Sequence, residues 1–200
     1  MVARTVQFSI PPADEAVVDN FLNAAFPHGA LLIALNMGGG WYTKRWGLDH
    51  FAELAGTLIE RYGASIVLPW GPGQMPDIEV VRSHMKHQPF IPPATTLPQL
   101  AALLKKCSVV ISNDSGPMHL AAAVGTPVLG IFGPTSPTLQ GPYGPGHVTV
   151  RKEGLVCLGC NLTSCPIGHP CMVELPVASV LEAVHNLLLK NNIPIPQPPT

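Results

Sequence analysis

The stretch Ser112-Asn113-Asp114-Ser115-Gly116-Pro117-Met118-His119-Leu120-Ala121-Ala122-Ala123 decides how this chain is read. It follows the apolar run Ser108-Val109-Val110-Ile111 and continues into small residues suited to a helix. A second apolar run, Pro127-Val128-Leu129-Gly130-Ile131-Phe132, comes next, followed by Gly133-Pro134-Thr135-Ser136-Pro137. Strand, polar loop, helix, strand and glycine loop in this order make a βαβ unit. Its turn puts a carboxylate, a hydroxyl and free backbone N–H groups at a helix N-terminus, where anions bind. Asp114 or Ser115 also suits the N-cap of that helix, with Pro117 in its first turn. A capped helix end still offers donors to an anion, so the turn points to a ligand carrying phosphate.

The same alternation extends in both directions. Asp14 to Ala25 predicts a helix with Val17, Val18, Phe21 and Leu22 on one face. Ala30 to Leu35 is a continuous apolar run of the kind found in buried parallel strands, and it breaks at Asn36-Met37-Gly38-Gly39-Gly40. Phe51, Ala55, Leu58 and Tyr62 recur at helical spacing, with Gly63 placed as a C-cap. Ser65 to Trp70 reads as a second strand ending at Gly71-Pro72-Gly73, Asp77 to Met85 as a short helix, and 89–93 as a loop. Leu97, Leu100, Leu103 and Leu104 mark another helix ahead of the strand at 108–112. From Gly133 to about Gly146 the chain reads as loop, His147 to Arg151 as a last strand, and Val177, Val180, Leu181, Val184, Leu187 and Leu188 as an amphipathic closing helix. The expected fold class is α/β, a Rossmann-like parallel sheet with helices on both faces. Residues 1–27 form a lead-in with a helix, 28–190 the Rossmann-like domain, and 191–200 a Pro-rich tail, disordered or laid along the surface. Because ligands of open α/β sheets sit at the carboxyl ends of the strands, the glycine-rich breaks should share one rim.

Composition narrows the classes. Among 200 residues 46% are hydrophobic and mean hydropathy is +0.29, enough apolar material for a core. Only 12% are charged, about half the usual share, which fits either a covered surface or Pro-rich, weakly charged loops. A net charge of -1 provides no basic face for nucleic acid. The N-terminal residues show no continuous apolar h-region, and no window reaches the length of a membrane span. The chain is therefore expected in the cytoplasm, where structural disulfides are disfavoured, with contact at a membrane surface left open.

Four constellations carry chemistry. The first is Asp114-Ser115-Gly116, with His119 one turn further on, either packed or reaching a ligand. The second is Asn36 to Trp46: its glycines, Gly39 among them, allow close backbone approach, Thr43 offers a hydroxyl and Lys44 a point charge for phosphate. A solvated surface turn is the plainer reading, and the spacing is not that of a P-loop. The third is Asp77 and Glu79 at a helix start, where acids complement the helix dipole and a carboxylate could also hold ribose hydroxyls. The fourth is Cys157-x2-Cys160-x4-Cys165-x5-Cys171, with His169 inside it. Four thiols at this spacing suit reduced side chains shaping a loop, a structural metal, or disulfides. A cysteine-cluster module binding nucleic acid is disfavoured by the charge. Cys107, at a helix–strand join, reads as packing. No metalloprotease, nucleophile-elbow or dinucleotide fingerprint occurs.

Taken together, these segments resemble the C-terminal half of the ADP-heptose:lipopolysaccharide heptosyltransferases, glycosyltransferase family 9, especially the heptosyltransferase II type. The resemblance rests on Leu35-Asn36 through Trp46, Asn113 to His119 with its Ala-rich continuation, Gly125-Thr126-Pro127, Phe132-Gly133-Pro134-Thr135 and the late cysteine region. It covers about residues 28–190, with Met37 standing where a proline is usual. It implies a GT-B enzyme of two Rossmann-like domains, with the nucleotide-sugar donor held mainly by the C-terminal one. Thr43 and Lys44 would meet the donor diphosphate, Ser115 and Gly116 would donate to it, Asp114 would contact donor hydroxyls, and Asp77 or Glu79 would hold the ribose. The implied reaction is inverting transfer of heptose from ADP-heptose to the lipopolysaccharide inner core, with no cofactor required. The family's N-terminal acceptor domain, which carries the expected general base, is not found before residue 28. The chain is accordingly expected to be a fragment, a truncated product or a stand-alone donor domain. The alternative function is a non-catalytic nucleotide-sugar binding module.

Overall fold

The structure, a computed structural model, describes residues 6–195. The first residues of the lead-in and the end of the Pro-rich tail, 196–200, lie outside the described residues. Five strands, β1 Leu32–Asn36, β2 Ser65–Val67, β3 Val109–Asn113, β4 Val128–Phe132 and β5 Val148–Arg151, form one parallel sheet in the order β2-β1-β3-β4-β5. The helices are α1 Pro12–Ala25, α2 Leu48–Tyr62, α3 Met75–His84, α4 Leu97–Lys106, α5 Gly116–Ala123, α6 Pro137–Gln140, α7 Pro170–Val173 and α8 Val177–Lys190.

Both faces of the sheet are covered, which is why the strands read as uninterrupted apolar runs. Side chains alternate between faces with period two. Ile33 and Leu35 of β1, Val109 and Ile111 of β3, and Leu129 and Ile131 of β4 join α2, α3 and α8 in one core. Leu32, Ala34, Val110 and Val128 join α1, α4 and α5 in the other. Each fully buried Leu, Ile or Phe contributes about 2 kcal/mol relative to exposure. Local signals set the helix ends. Gly63 closes α2 in the left-handed region at φ 60. Thr96 and Gln99 form a reciprocal capping box at the start of α4.

Some sequence expectations need correction. Val17 is exposed, because α1 meets the sheet only along the Val18–Leu22 edge of its apolar stripe. Leu97, the first residue of α4, also faces solvent. The second strand is only three residues long, and the 89–93 loop contributes Phe90 to the sheet edge as a parallel bridge to Val67. Residues 133–146 contain the short α6. The lead-in helix packs on the rest of the chain: Lys105 and Lys106 of α4 pair with Glu15 and Asp19 of α1, and Phe21 stacks on Phe90. Past α8, the start of the tail lies on the surface, with Ile193 and Ile195 against the first core. Among the described residues, no helix is long and apolar enough to cross a membrane.

Candidate functional site

From β1 the chain runs outward to β2 on one side, whereas β3, β4 and β5 extend to the other. The crevice at such a switch point, beyond the carboxyl ends of β1 and β3, is where doubly wound sheets bind ligands. Asn36 ends β1 and lies in register with Ser112 of β3, so the two loops that leave the crevice are the Asn36–Trp46 turn and the Asp114–Gly116 turn.

A buried polar network fixes these loops to each other. Asn36 Nδ2 donates to Ser112 Oγ at 2.8 Å and to Ser115 Oγ at 2.9 Å. Asn113 Oδ1 accepts from the Trp46 N–H at 3.1 Å, while Asn113 Nδ2 donates to the Met37 carbonyl at 2.8 Å. Asn113 thereby pins both ends of the glycine turn. The Trp46 indole is buried and donates to Leu175 O at 3.0 Å. Asp114 Oδ2 accepts from Lys44 Nζ at 2.7 Å and from Thr135 Oγ1 at 2.7 Å. Lys44 Nζ also lies 4.4 Å from the centroid of the Trp41 ring.

These groups open onto a cleft of about 570 Å³ lined by Gly40, Lys44, Asp114, Ser115, Gly116 and His119. Ser115 is the N-cap of α5, but its side chain makes no cap bond, because its hydroxyl is engaged with Asn36 and Ser112. The side-chain cap expected from the sequence is therefore absent, and the first-turn N–H groups of α5 have no side-chain acceptor from Ser115. His119 Nδ1 is buried without a hydrogen-bond partner, and the ring centroid is 6.2 Å from that of Tyr143. One wall thus combines an ammonium, a helix N-terminus and a carboxylate, a set suited to a phosphate ester that also carries hydroxyls.

The sequence of residues 7–169 matches the family model described as glycosyltransferase family 9 (heptosyltransferase). The chain belongs to glycosyltransferase family 9. It is 28% identical over 172 residues to lipooligosaccharide heptosyltransferase 2 of Campylobacter jejuni, covering 83% of this chain and 54% of that one. A family 9 glycosyl transferase structure from Veillonella parvula matches at TM-score 0.81 and 25% identity, covering 92% of this chain and 53% of that one. The Escherichia coli heptosyltransferase WaaC, solved with ADP, matches at TM-score 0.65 and 26% identity over 86% of this chain and 49% of that one. The chain spans about half the length of the curated relatives it matches. The family match begins at residue 7 and so spans the lead-in helix as well.

Within this family 9 domain the candidate residues divide. Lys44, Asp114, Ser115, Gly116 and His119 line one cleft. Thr43 does not join them: its side chain is buried, and its hydroxyl donates to Leu162 O at 2.8 Å. Gly39 is not among the residues lining the cleft, and a Cβ placed on it would meet Arg45 Cγ at 3.2 Å. Asp77 faces Arg45 at 3.7 Å and Glu79 pairs with Arg82 at 2.9 Å on α3; neither lines the cleft of Asp114. Asn36, Ser112, Asn113 and Thr135 carry no site role in the sequence reading, although all four stand inside the motifs quoted above. Their signal is a polar residue at the end of an apolar strand run or just past it. The four late cysteines are free, as is Cys107, and among the described residues no three His, Cys, Asp or Glu side chains gather as a metal site. Burial pushes the Cys107 thiol up to about 12, as befits a packing cysteine.

Proposed function

We propose that this chain is the donor-binding domain of a heptosyltransferase, holding the diphosphate of an ADP-heptose-like nucleotide sugar in the cleft between Lys44 and the N-terminus of α5. The observation that carries this reading is the convergence of the Lys44 ammonium and an α5 end without a side-chain cap on one cleft at the β1/β3 switch point. Family membership and the likeness to WaaC, which was solved with ADP, support the choice of nucleotide.

The roles follow from the donor inventory. An ammonium has three N–H bonds; one meets Asp114, and the others are free for phosphate oxygens. Asp114 Oδ2 is occupied by Lys44 and Thr135, which leaves Oδ1 to accept from sugar hydroxyls. His119 would add a ring nitrogen at the same wall. In the transfer, an acceptor hydroxyl of the lipopolysaccharide inner core attacks the anomeric carbon with inversion. The bond from that carbon to the diphosphate oxygen breaks, and ADP departs with the electron pair. The acceptor proton passes to a general base on an acceptor domain. Lys44 and the α5 N–H groups stabilise the charge that grows on the leaving diphosphate. Leu139 and Tyr143, exposed beside the cleft, fit a surface that faces such a domain. The reaction would take place in the cytoplasm, where the acceptor lies at the inner face of the inner membrane.

Calorimetric titration of the folded chain with ADP tests the reading. Saturable binding that Lys44→Ala weakens is expected; no heat of binding to well-folded protein would overturn it.

A further inference from the structure

Three buried side-chain polar atoms have no hydrogen-bond partner among the described residues, and two of them, His119 Nδ1 and Gln140 Oε1, belong to residues lining the cleft of Lys44 and Asp114. An unpaired buried acceptor is costly, and each one in a folded chain calls for a physical reason. Gln140 is the last residue of α6, and its backbone is fixed. Its N–H donates to Ser136 O at 2.9 Å, and the following Gly141 N–H donates to Pro137 O at 2.9 Å. A Cβ on Gly141 would collide with Pro137 O, so the chain turns tightly just past Gln140. The backbone is held in place while no protein group holds the amide oxygen.

The strand order tells which end of a ligand this amide meets. Along the rim β1, β3 and β4 follow one another. The turn after β1 brings Lys44, the turn after β3 brings Asp114 and the start of α5, and the segment after β4 brings Gln140 and Tyr143. The Thr135–Asp114 hydrogen bond ties the last two of these loops together. With the diphosphate between Lys44 and α5 and sugar hydroxyls at Asp114, the sugar extends toward the β4 side. There it meets an amide, an imidazole and the exposed ring of Tyr143, which suits a ring of hydroxyls with apolar C–H faces.

We propose that Gln140 is a specificity-determining residue of the donor site: its amide, together with His119, receives hydroxyls of the transferred sugar and so distinguishes an ADP-sugar from ADP. The side chain has only to turn about its last torsions, the terminal one being broad for an amide, to bring Oε1 to a hydroxyl in the cleft. The His119 ring, tilted against Tyr143 at 6.2 Å, presents Nδ1 by the same kind of rotation. A bound sugar then satisfies two atoms that the unliganded chain leaves unpaired, whereas ADP alone does not. This inference rests on the donor-site reading.

Calorimetric titrations of the full chain with ADP and with ADP-heptose, repeated on Gln140→Met, test it. Methionine keeps the length of the side chain and removes the amide. The ratio of ADP-heptose affinity to ADP affinity should fall about 5- to 10-fold. Because no hydrogen bond within the protein is lost, the variant should melt no lower than the unaltered chain. An unmoved ratio overturns the role of Gln140 and leaves the diphosphate site standing. A variant that fails to fold, or melts well below the unaltered chain, overturns it too, since the amide would then serve the fold. Failure of both nucleotides to bind the folded, unaltered chain overturns the donor-site reading itself, and the role of Gln140 with it.

Discussion

Lys44 Nζ lies 2.7 Å from Asp114 Oδ2, joining two loops that leave different strands at the mouth of the same crevice. Both side chains are largely shielded from water, with 14% of the Lys44 side chain and 6% of the Asp114 side chain exposed. The pair therefore cannot be treated as a surface salt bridge of negligible worth. Removing one partner leaves a buried charge with less compensation. Lys44→Ala should cost about 3 kcal/mol of stability in urea denaturation and weaken ADP about 10- to 100-fold by calorimetry. In a double-mutant cycle with Asp114→Asn, the two stability losses should be strongly non-additive. Additive losses would show that the pair is not coupled.

Thr135 makes a narrower test of the same carboxylate. It is buried, and its hydroxyl donates to Asp114 Oδ2 at 2.7 Å. Thr135→Val keeps the shape and removes the donor, at a cost of about 2 kcal/mol for a hydrogen bond to a charged group. Thr135→Ser should recover most of it. Thermal melts of the three proteins check the order, and a serine variant as unstable as the valine would show that shape matters more than the hydrogen bond.

Asn36 holds the switch point closed from beneath. Its amide donates to two serine hydroxyls, one in β3 and one at the N-cap of α5. Asn36→Ala removes both bonds and frees Ser115 to turn toward the helix N–H groups, in competition with a ligand. A stability loss of about 2 kcal/mol is expected, together with weaker ADP binding. Ser115→Ala in the Asn36→Ala background should then restore part of the affinity without restoring stability.

The layered fold was legible because its causes are local. Short apolar runs such as Leu31–Leu35 and Val109–Ile111, bounded by glycine and polar breaks, are consistent with strands buried on both faces, and those breaks mark the ligand rim. Lys44, Asp114, Ser115 and Gly116 could be picked out for the same reason: each sits in such a break. The partner of the Thr43 hydroxyl could not be read from sequence, because it is Leu162, 119 residues later, and no local pattern encodes that contact. The Asn36–Ser112 bond spans 76 residues and is equally silent in sequence until the strand register is known. Val17 shows the complementary limit: helical periodicity defines an apolar stripe, but neighbouring elements decide which edge of it is covered.

Gly133 has no room for a side chain. A Cβ there would stand 2.7 Å from Met172 Sδ and 2.8 Å from Cys171 Sγ, both buried. Gly133→Ala should therefore destabilise the chain by about 1–3 kcal/mol through overpacking. The companion change Met172→Ala, which vacates space at the same point, should offset part of that loss. Denaturant midpoints of the two single variants and the double variant measure the compensation, and strictly additive losses would rule it out.

His147 gives the domain a pH dependence of definite sign. Burial lowers its pKa below the ordinary value of 6.5, the hydrogen bond to the Tyr143 carbonyl opposes that shift, and the Lys190 charge adds to it. The hydrogen bonds require the neutral tautomer: Nδ1 accepts from the Val128 N–H at 3.2 Å, so Nε2 carries the proton facing Tyr143 O at 3.0 Å. Protonating Nδ1 destroys its acceptor role and leaves the Val128 N–H, at the start of β4, facing another donor. The unfolded chain thus takes up a proton more readily than the folded one. The His147 contribution is fully present above pH 6.5 and is lost as pH falls through the lower folded pKa. Melting temperature should drop between about pH 8 and about pH 5, and His147→Gln, which cannot titrate, should flatten that part of the curve. Parallel curves for the two proteins over this range would assign the pH dependence to other groups.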